Sequence, residues 1–235
     1  MSMDKLWYLS KISIFEALPP EDLEEIDRMA PMTHFNALPK GKMVQTPGEE
    51  REGLFFVKKG KLRLYKINPE GKQFTVGILG RGNMFGEIDS FSLGTQGIYI
   101  ETMEETLICS VLKEHFEKFL SNRPLLAMRF LKELSNRLKD RDELLEKLAL
   151  GDLREKLLYL VVKLSDEFGV EEGAYRKIDL PLTHQELANM IGATRESVTL
   201  VLHELSDEGF VQTSRMSIMV NVTKVDELVR SNEIK

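Results

Sequence analysis

Between Thr194 and His203 one short stretch carries a guanidinium, a carboxylate, three hydroxyls and an imidazole, on Thr194, Arg195, Glu196, Ser197, Thr199 and His203. Such groups can read a DNA duplex. Arginine donates a bidentate pair to guanine, glutamate accepts from the cytosine amine, and serine or threonine bonds phosphates or base edges. The apolar residues between them, Val198, Val201, Leu202 and Leu205, recur at helical spacing. The polar set therefore falls on the opposite, outward face.

Two helices must position that face. Thr183 to Glu186 spells T-x-x-E, a capping box that starts a helix whose Leu187, Ala188 and Ile191 point inward. Small Ala188 permits close helix contact, Gly192 supplies the turn, and Thr194 can cap the second helix. This is helix-turn-helix spacing. The following DEGFVQTSRMSIMVNV reads as two short strands around a turn, so the unit is expected to be winged. Thr183, Thr194, Arg195, Glu196, Ser197, Thr199, Leu200, His203 and Arg215 are the candidate DNA contacts. The competing reading is a helical hairpin that only packs, with His184 and His203 as ordinary surface histidines.

Charge does not suggest DNA by itself. From Gly151 to Lys235 there are 10 Lys and Arg against 15 Asp and Glu, a balance of −5 for the part that should meet a polyanion. If DNA is read, Arg195, His203 and Arg215 must share one face with the acids turned away, and nonspecific affinity should be modest.

A chain of 235 residues can bury two cores. It is 42% hydrophobic and 30% charged with net charge −6, and no apolar run approaches the ~20 residues of a membrane span. The start, MSMDKLWYLSKISIF, lacks the apolar region and cleavage site of a secretory signal, so the expected compartment is the cytoplasm. Cys109 is the only cysteine, which excludes an intrachain disulfide or a cysteine-held cluster and reads as a small buried apolar residue.

LPPEDLEEIDRMA reads as a short helix. From Gly41 to about Leu112 short apolar strands follow, with turn signals at KKGK, NPEGK and LGRGN, which suits an all-β sandwich or barrel. VLKEHFEKFLSNRP looks like a helix leaving it. A longer helix begins near Asn122 and Pro124, where Leu131, Leu134, Leu138, Leu145 and Leu148 recur at spacings of three, four, seven and three. That is the seam of a two-helix coil and favours a symmetric dimer, with Arg141 breaking one slot. Gly151-Asp152 punctuates the chain before LREKLLYLVVKLSDEF. The expected division is a sensor domain over 1–120, a dimerisation helix over 121–150 and a winged helix-turn-helix over 151–235.

The order of these parts, together with G-R-G-N-M-F-G-E-I and G-A-T-R-E-S-V, resembles the CRP/FNR family of bacterial transcription regulators across nearly the whole chain. The resemblance implies an α+β architecture. Its parts are an N-terminal jelly-roll β-barrel like a cyclic-nucleotide-binding domain, a long dimerisation helix and a C-terminal winged helix-turn-helix. It implies a cytoplasmic homodimer that binds double-stranded DNA and contacts RNA polymerase, with half-sites about one turn, roughly 34 Å, apart. An effector in the barrel would shift the long helices and the spacing of the two reading helices.

Arg195 and Glu196 match the pair that reads a G·C-containing half-site in the cyclic-AMP-responsive members. Those members carry a further arginine where this chain has Leu200, which can touch a thymine methyl but cannot donate to guanine. Gly86, Glu87 and Ile88 preserve the opening of the family's phosphate cassette. Gly97 and Ile98 replace its arginine and serine, and Arg141 and Asp142 replace the Thr-Ser that contacts adenine. A cyclic phosphate would lose its cation, so cyclic AMP is not the expected effector and no cofactor is assigned. GNMFGEI then reads first as a turn the fold keeps for its own sake. A single cysteine does not match the oxygen-sensing branch, and His34 and His115 give no haem pattern. Arg141 could meet an anionic effector, or pair with Asp142 or Glu146.

Nothing in the sequence resembles a nucleophile elbow, Walker loop, metal-spaced histidine cluster or dinucleotide fingerprint, so an enzyme is not expected. The alternative to a DNA-reading regulator is a small-molecule binding module whose acidic C-terminal domain contacts protein.

Overall fold

The computed structural model describes residues 10–233 except 11, 13, 14, 17, 30–35, 50–52, 89, 90, 112 and 215. His34, Arg215 and the side chain of His115 therefore lie outside the described residues. Two compact units, Met1–Asp140 and Arg141–Lys235, divide the chain within the long helix. Among the described residues no helix is long and apolar enough to cross a membrane.

Among the described residues the first unit is built on nine antiparallel strands: β1 (Asn36–Leu38), β2 (Met43–Gln45), β3 (Gly53–Lys59), β4 (Leu62–Ile67), β5 (Gln73–Leu79), β6 (Met84–Ile88), β7 (Phe91–Ser92), β8 (Tyr99–Thr102) and β9 (Thr106–Val111). They form one sheet in the order β1-β9-β3-β6-β7 and another in the order β2-β8-β4-β5. The expected jelly roll is present as two sheets, and among the described residues β1, β7, β2 and β5 each pair on one side only, so the sheets do not close into a barrel. The chain changes sheets at KKGK and at LGRGN, while NPEGK closes the β4–β5 hairpin with Gly71 donating to the Asn68 carbonyl at 2.9 Å.

The sequence of β3 shows why the larger sheet is covered on both faces. Phe55 and Val57 join Leu62, Leu64, Phe85 and Ile100 in the core between the sheets. Their neighbours Leu54 and Phe56 point the other way, into a second cluster with Met84, Val111 and Cys109. Three helices supply the other side of that cluster. Leu23 comes from α1 (Pro20–Met29), Phe116 from α2 (Lys113–Ser121), and Leu126 and Phe130 from α3 (Pro124–Leu150). Each such side chain, fully buried, contributes about 1.5 to 3 kcal/mol. The Arg137 guanidinium of α3 donates to the Met84 carbonyl at 3.1 Å, which fastens the helix to β6.

In the second unit, after the end of α3, Asp152 caps α4 (Leu153–Phe168) in a capping box with Glu155. A hairpin of β10 (Gly169–Glu172) and β11 (Tyr175–Ile178) follows, then α5 (His184–Ile191), α6 (Arg195–Asp207), β12 (Val211–Ser214), β13 (Ser217–Asn221) and α7 (Val222–Glu233). The strands make one sheet, β10-β11-β13-β12, so the two expected wing strands extend into four. The hairpin β10–β11 is absent from the apolar periodicity, because Val170, Glu171 and Glu172 are exposed. It is held by pairing with β13 and by Arg176, which bridges Glu171 and Asp166. Leu157, Leu187, Ala188, Val198, Leu202 and Leu205 are nearly inaccessible and form the core on which α5 and α6 rest.

Candidate nucleic-acid interface and effector cassette

Thr183 holds the N-cap of α5 with extended backbone; its hydroxyl accepts from the Glu186 amide, and the Glu186 carboxylate accepts from the Thr183 amide. At the other end Gly192 adopts φ 71°, a left-handed conformation that glycine takes without strain. Thr194 then caps α6, accepting from the Ser197 amide at 3.2 Å, and its hydroxyl lies 2.8 Å from that of Ser197. These caps settle the helix ends locally, each contributing about 1 kcal/mol.

The reading face emerges at the first turn of α6. Arg195 and Glu196 are exposed, and neither side chain makes a hydrogen bond or ion pair among the described residues. Leu200 is 63% exposed on the same helix, an unusual place for leucine unless something covers it, and His203 is exposed one turn further. Thr199 differs from the rest. Its hydroxyl donates to the Arg195 carbonyl at 2.8 Å and lies 2.8 Å from Nδ1 of His184 on α5, so it serves the helix pair instead of the outer face. Burial holds the His184 imidazole below its ordinary pKa, and the nearby Arg195 and His203 push it the same way. His184 is the residue that sequence reasoning misses; its signal is a first-turn position on α5, facing a threonine one turn into α6.

Some acids of this unit are held in ion pairs, each of which also occupies a cation. Arg154 grips Glu208 with two donors at 2.8 and 2.6 Å, Arg176 pairs with Glu171 and Asp166, and Lys177 lies 3.7 Å from Glu172. Arg195 stands outside these pairs.

In the first unit the cassette residues satisfy one another. Gly86 has φ 118°, and a Cβ there would lie 2.1 Å from the Gly53 carbonyl oxygen, so no other residue fits. Its amide donates to the Thr95 hydroxyl at 3.1 Å, and the Glu87 carboxylate accepts from both the amide and the hydroxyl of Thr95 at 2.8 Å. Gln45 donates to the carbonyls of Thr95 and Ile98. Ile98 fills the core between the sheets and Ile88 the helix-side cluster, so both work as packing residues; Gly97 is exposed at φ 67°. Arg141 and Asp142 are exposed on α3, and Arg141 forms no pair with Asp142 or Glu146 among the described residues.

Of the candidate seam, Leu131, Leu138 and Leu145 are 57%, 62% and 65% exposed, seven residues apart on one stripe. Leu134 is partly buried against the helix-side core, and Leu148 is half-buried.

The cyclic nucleotide-binding domain matches residues 35–123, and the Crp-like helix-turn-helix domain matches residues 154–230. The chain is 25% identical over 219 residues to a CRP-like cAMP-activated global transcriptional regulator of Mycobacterium tuberculosis, covering 93% of this chain and 96% of that one. It is 29% identical over 199 residues to a cyclic AMP receptor protein of Thermus thermophilus, covering 85% and 88%. The chain belongs to the CRP/FNR family of transcription regulators. Among solved structures, a mutant of CooA from Carboxydothermus hydrogenoformans superposes on this CRP/FNR chain with a TM-score of 0.70 at 25% identity, over 84% of this chain and 88% of that one. Members of the CRP/FNR family are transcription regulators and not enzymes, and they bind DNA through the helix-turn-helix.

Proposed function

We propose that this CRP/FNR regulator acts as a homodimer in the cytoplasm, placing the first turn of α6 from each subunit into successive major grooves of a palindromic site. The observation that carries this reading is the pair Arg195 and Glu196, exposed and uncommitted at the start of a helix whose ends are fixed by caps. Arg195 donates to guanine, Glu196 accepts from cytosine, and Leu200 touches a thymine methyl. Thr194, Ser197 and His203 meet phosphates or neighbouring bases, and Thr183 sits at an N-terminus suited to a phosphate. Leu131, Leu138 and Leu145 form the exposed part of the dimer seam. Family members contact RNA polymerase, and we extend that contact to this chain.

The effector is other than cyclic AMP, or there is none. Glu87 is spent on Thr95, and neither Gly97 nor Ile98 brings a cation to a phosphate. Selecting bound sequences from random DNA, with protein purified without added ligand, tests the reading: a palindrome is expected, and failure to enrich any sequence overturns it. Millimolar cyclic AMP should leave the melting temperature unchanged; a rise growing with ligand concentration would place the nucleotide in the fold.

A further inference from the structure

The His184 imidazole and the Arg195 carbonyl meet at one hydroxyl. Oγ1 of Thr199 lies 2.8 Å from the Arg195 carbonyl oxygen and 2.8 Å from Nδ1 of His184. A carbonyl can only accept, so the single hydroxyl hydrogen goes to it. The hydroxyl then presents a lone pair to His184, and Nδ1 must carry the hydrogen. The result is a donor chain from Nδ1–H through the hydroxyl to the Arg195 carbonyl, joining the first residue of α5 to the first residue of α6. His184 stands on a backbone already fixed by the Thr183–Glu186 capping box.

We propose that His184 is a positioning residue for base reading: through the Thr199 hydroxyl it fixes the turn of α6 that carries Arg195, and so sets sequence preference at the base pair Arg195 reads. The proposal rests on the DNA-reading function above. Bidentate donation to a base edge tolerates little displacement of the arginine backbone, whereas a phosphate contact tolerates more. Loosening the turn should therefore erode preference before it erodes overall affinity. Burial, Arg195 and His203 all lower the pKa of His184, and protonation at Nε2 would leave Nδ1–H in place. The preference is therefore independent of pH, unlike that of a cation bound to phosphate.

The test is competition binding by the full chain, comparing the selected site with the same site altered at the base pair where Arg195→Ala relaxes preference. His184→Leu and Thr199→Val should each lower the preference by about tenfold, and the double variant by no more than either alone. His184→Asn puts an amide donor near the place of Nδ1, and with Thr199→Ser it should keep the preference within about twofold. The ratio should not change between pH 6 and 8. Unfolding curves for the five variants separate loss of fold from loss of preference, and the two conservative variants keep the test open if the others fold poorly. The proposal is overturned if His184→Leu weakens every sequence by one factor, if His184→Asn loses preference as His184→Leu does, or if affinity for all sequences rises on acidification and His184→Asn abolishes the rise. Absence of any sequence preference in the unmutated protein overturns the DNA-reading function itself, and this proposal with it.

Discussion

Arg195 has two neighbours with opposite relations to it: Glu196, as free as itself, and Thr199, whose hydroxyl holds its carbonyl. Replacing Arg195 with Ala should cost about 1 to 3 kcal/mol on the selected site and relax preference at one base pair, read by competition against single-base variants. An equal loss on every sequence would make it a phosphate contact. Gly86 governs the other unit. A methyl group at Gly86 must displace the Gly53 carbonyl, so Gly86→Ala should lower stability by about 1 to 3 kcal/mol in urea unfolding. His184 adds a pH dependence whose sign follows from its lowered pKa. The fold prefers the neutral ring, so its contribution is complete above the unfolded value of about 6.5 and is lost as pH falls below it. Comparing unfolding at pH 7.5 and 5.5, the loss should be smaller in His184→Asn than in the parent. The Thr183–Glu186 capping box, the Thr194 cap and Gly192 were legible because their chemistry is local. The His184 contact was not, since fifteen positions and a turn separate it from Thr199.

Among the elements, α3 shows what periodicity can and cannot assign. Seven-residue spacing picks out Leu131, Leu138 and Leu145 as an exposed stripe, but it also included Leu134, which turns partly into the helix-side core. A single helix of 27 residues can serve two faces, and a count of leucines does not divide them. Leu138→Glu should abolish dimers in sedimentation while leaving the jelly roll folded, because Leu138 lies outside both core clusters. A persistent dimer would remove this stripe from the interface. The β10–β11 hairpin was illegible for a different reason: ion pairs and edge pairing hold it, not alternating apolar residues. The jelly roll was legible as strands and turns, but the open edges depend on which strands pair across the chain, which turn signals do not specify.

For the whole molecule, the balance of −5 over residues 151–235 is hardly changed by the ion pairs of Arg154, Arg176 and Lys177, which take up those cations along with their acids, so binding must rest on base contacts more than on net charge. Few cations remain for phosphates. The slope of log affinity against log salt should therefore be shallow, with about 0.9 per phosphate neutralised, and a slope near −10 would show a far larger basic surface. A shallow slope shapes how such a regulator finds its sites. Lingering on random chromosome depends on the same phosphate attraction, so this protein should release wrong stretches quickly and spend most of its search unbound, relying on base fit to decide where it stays.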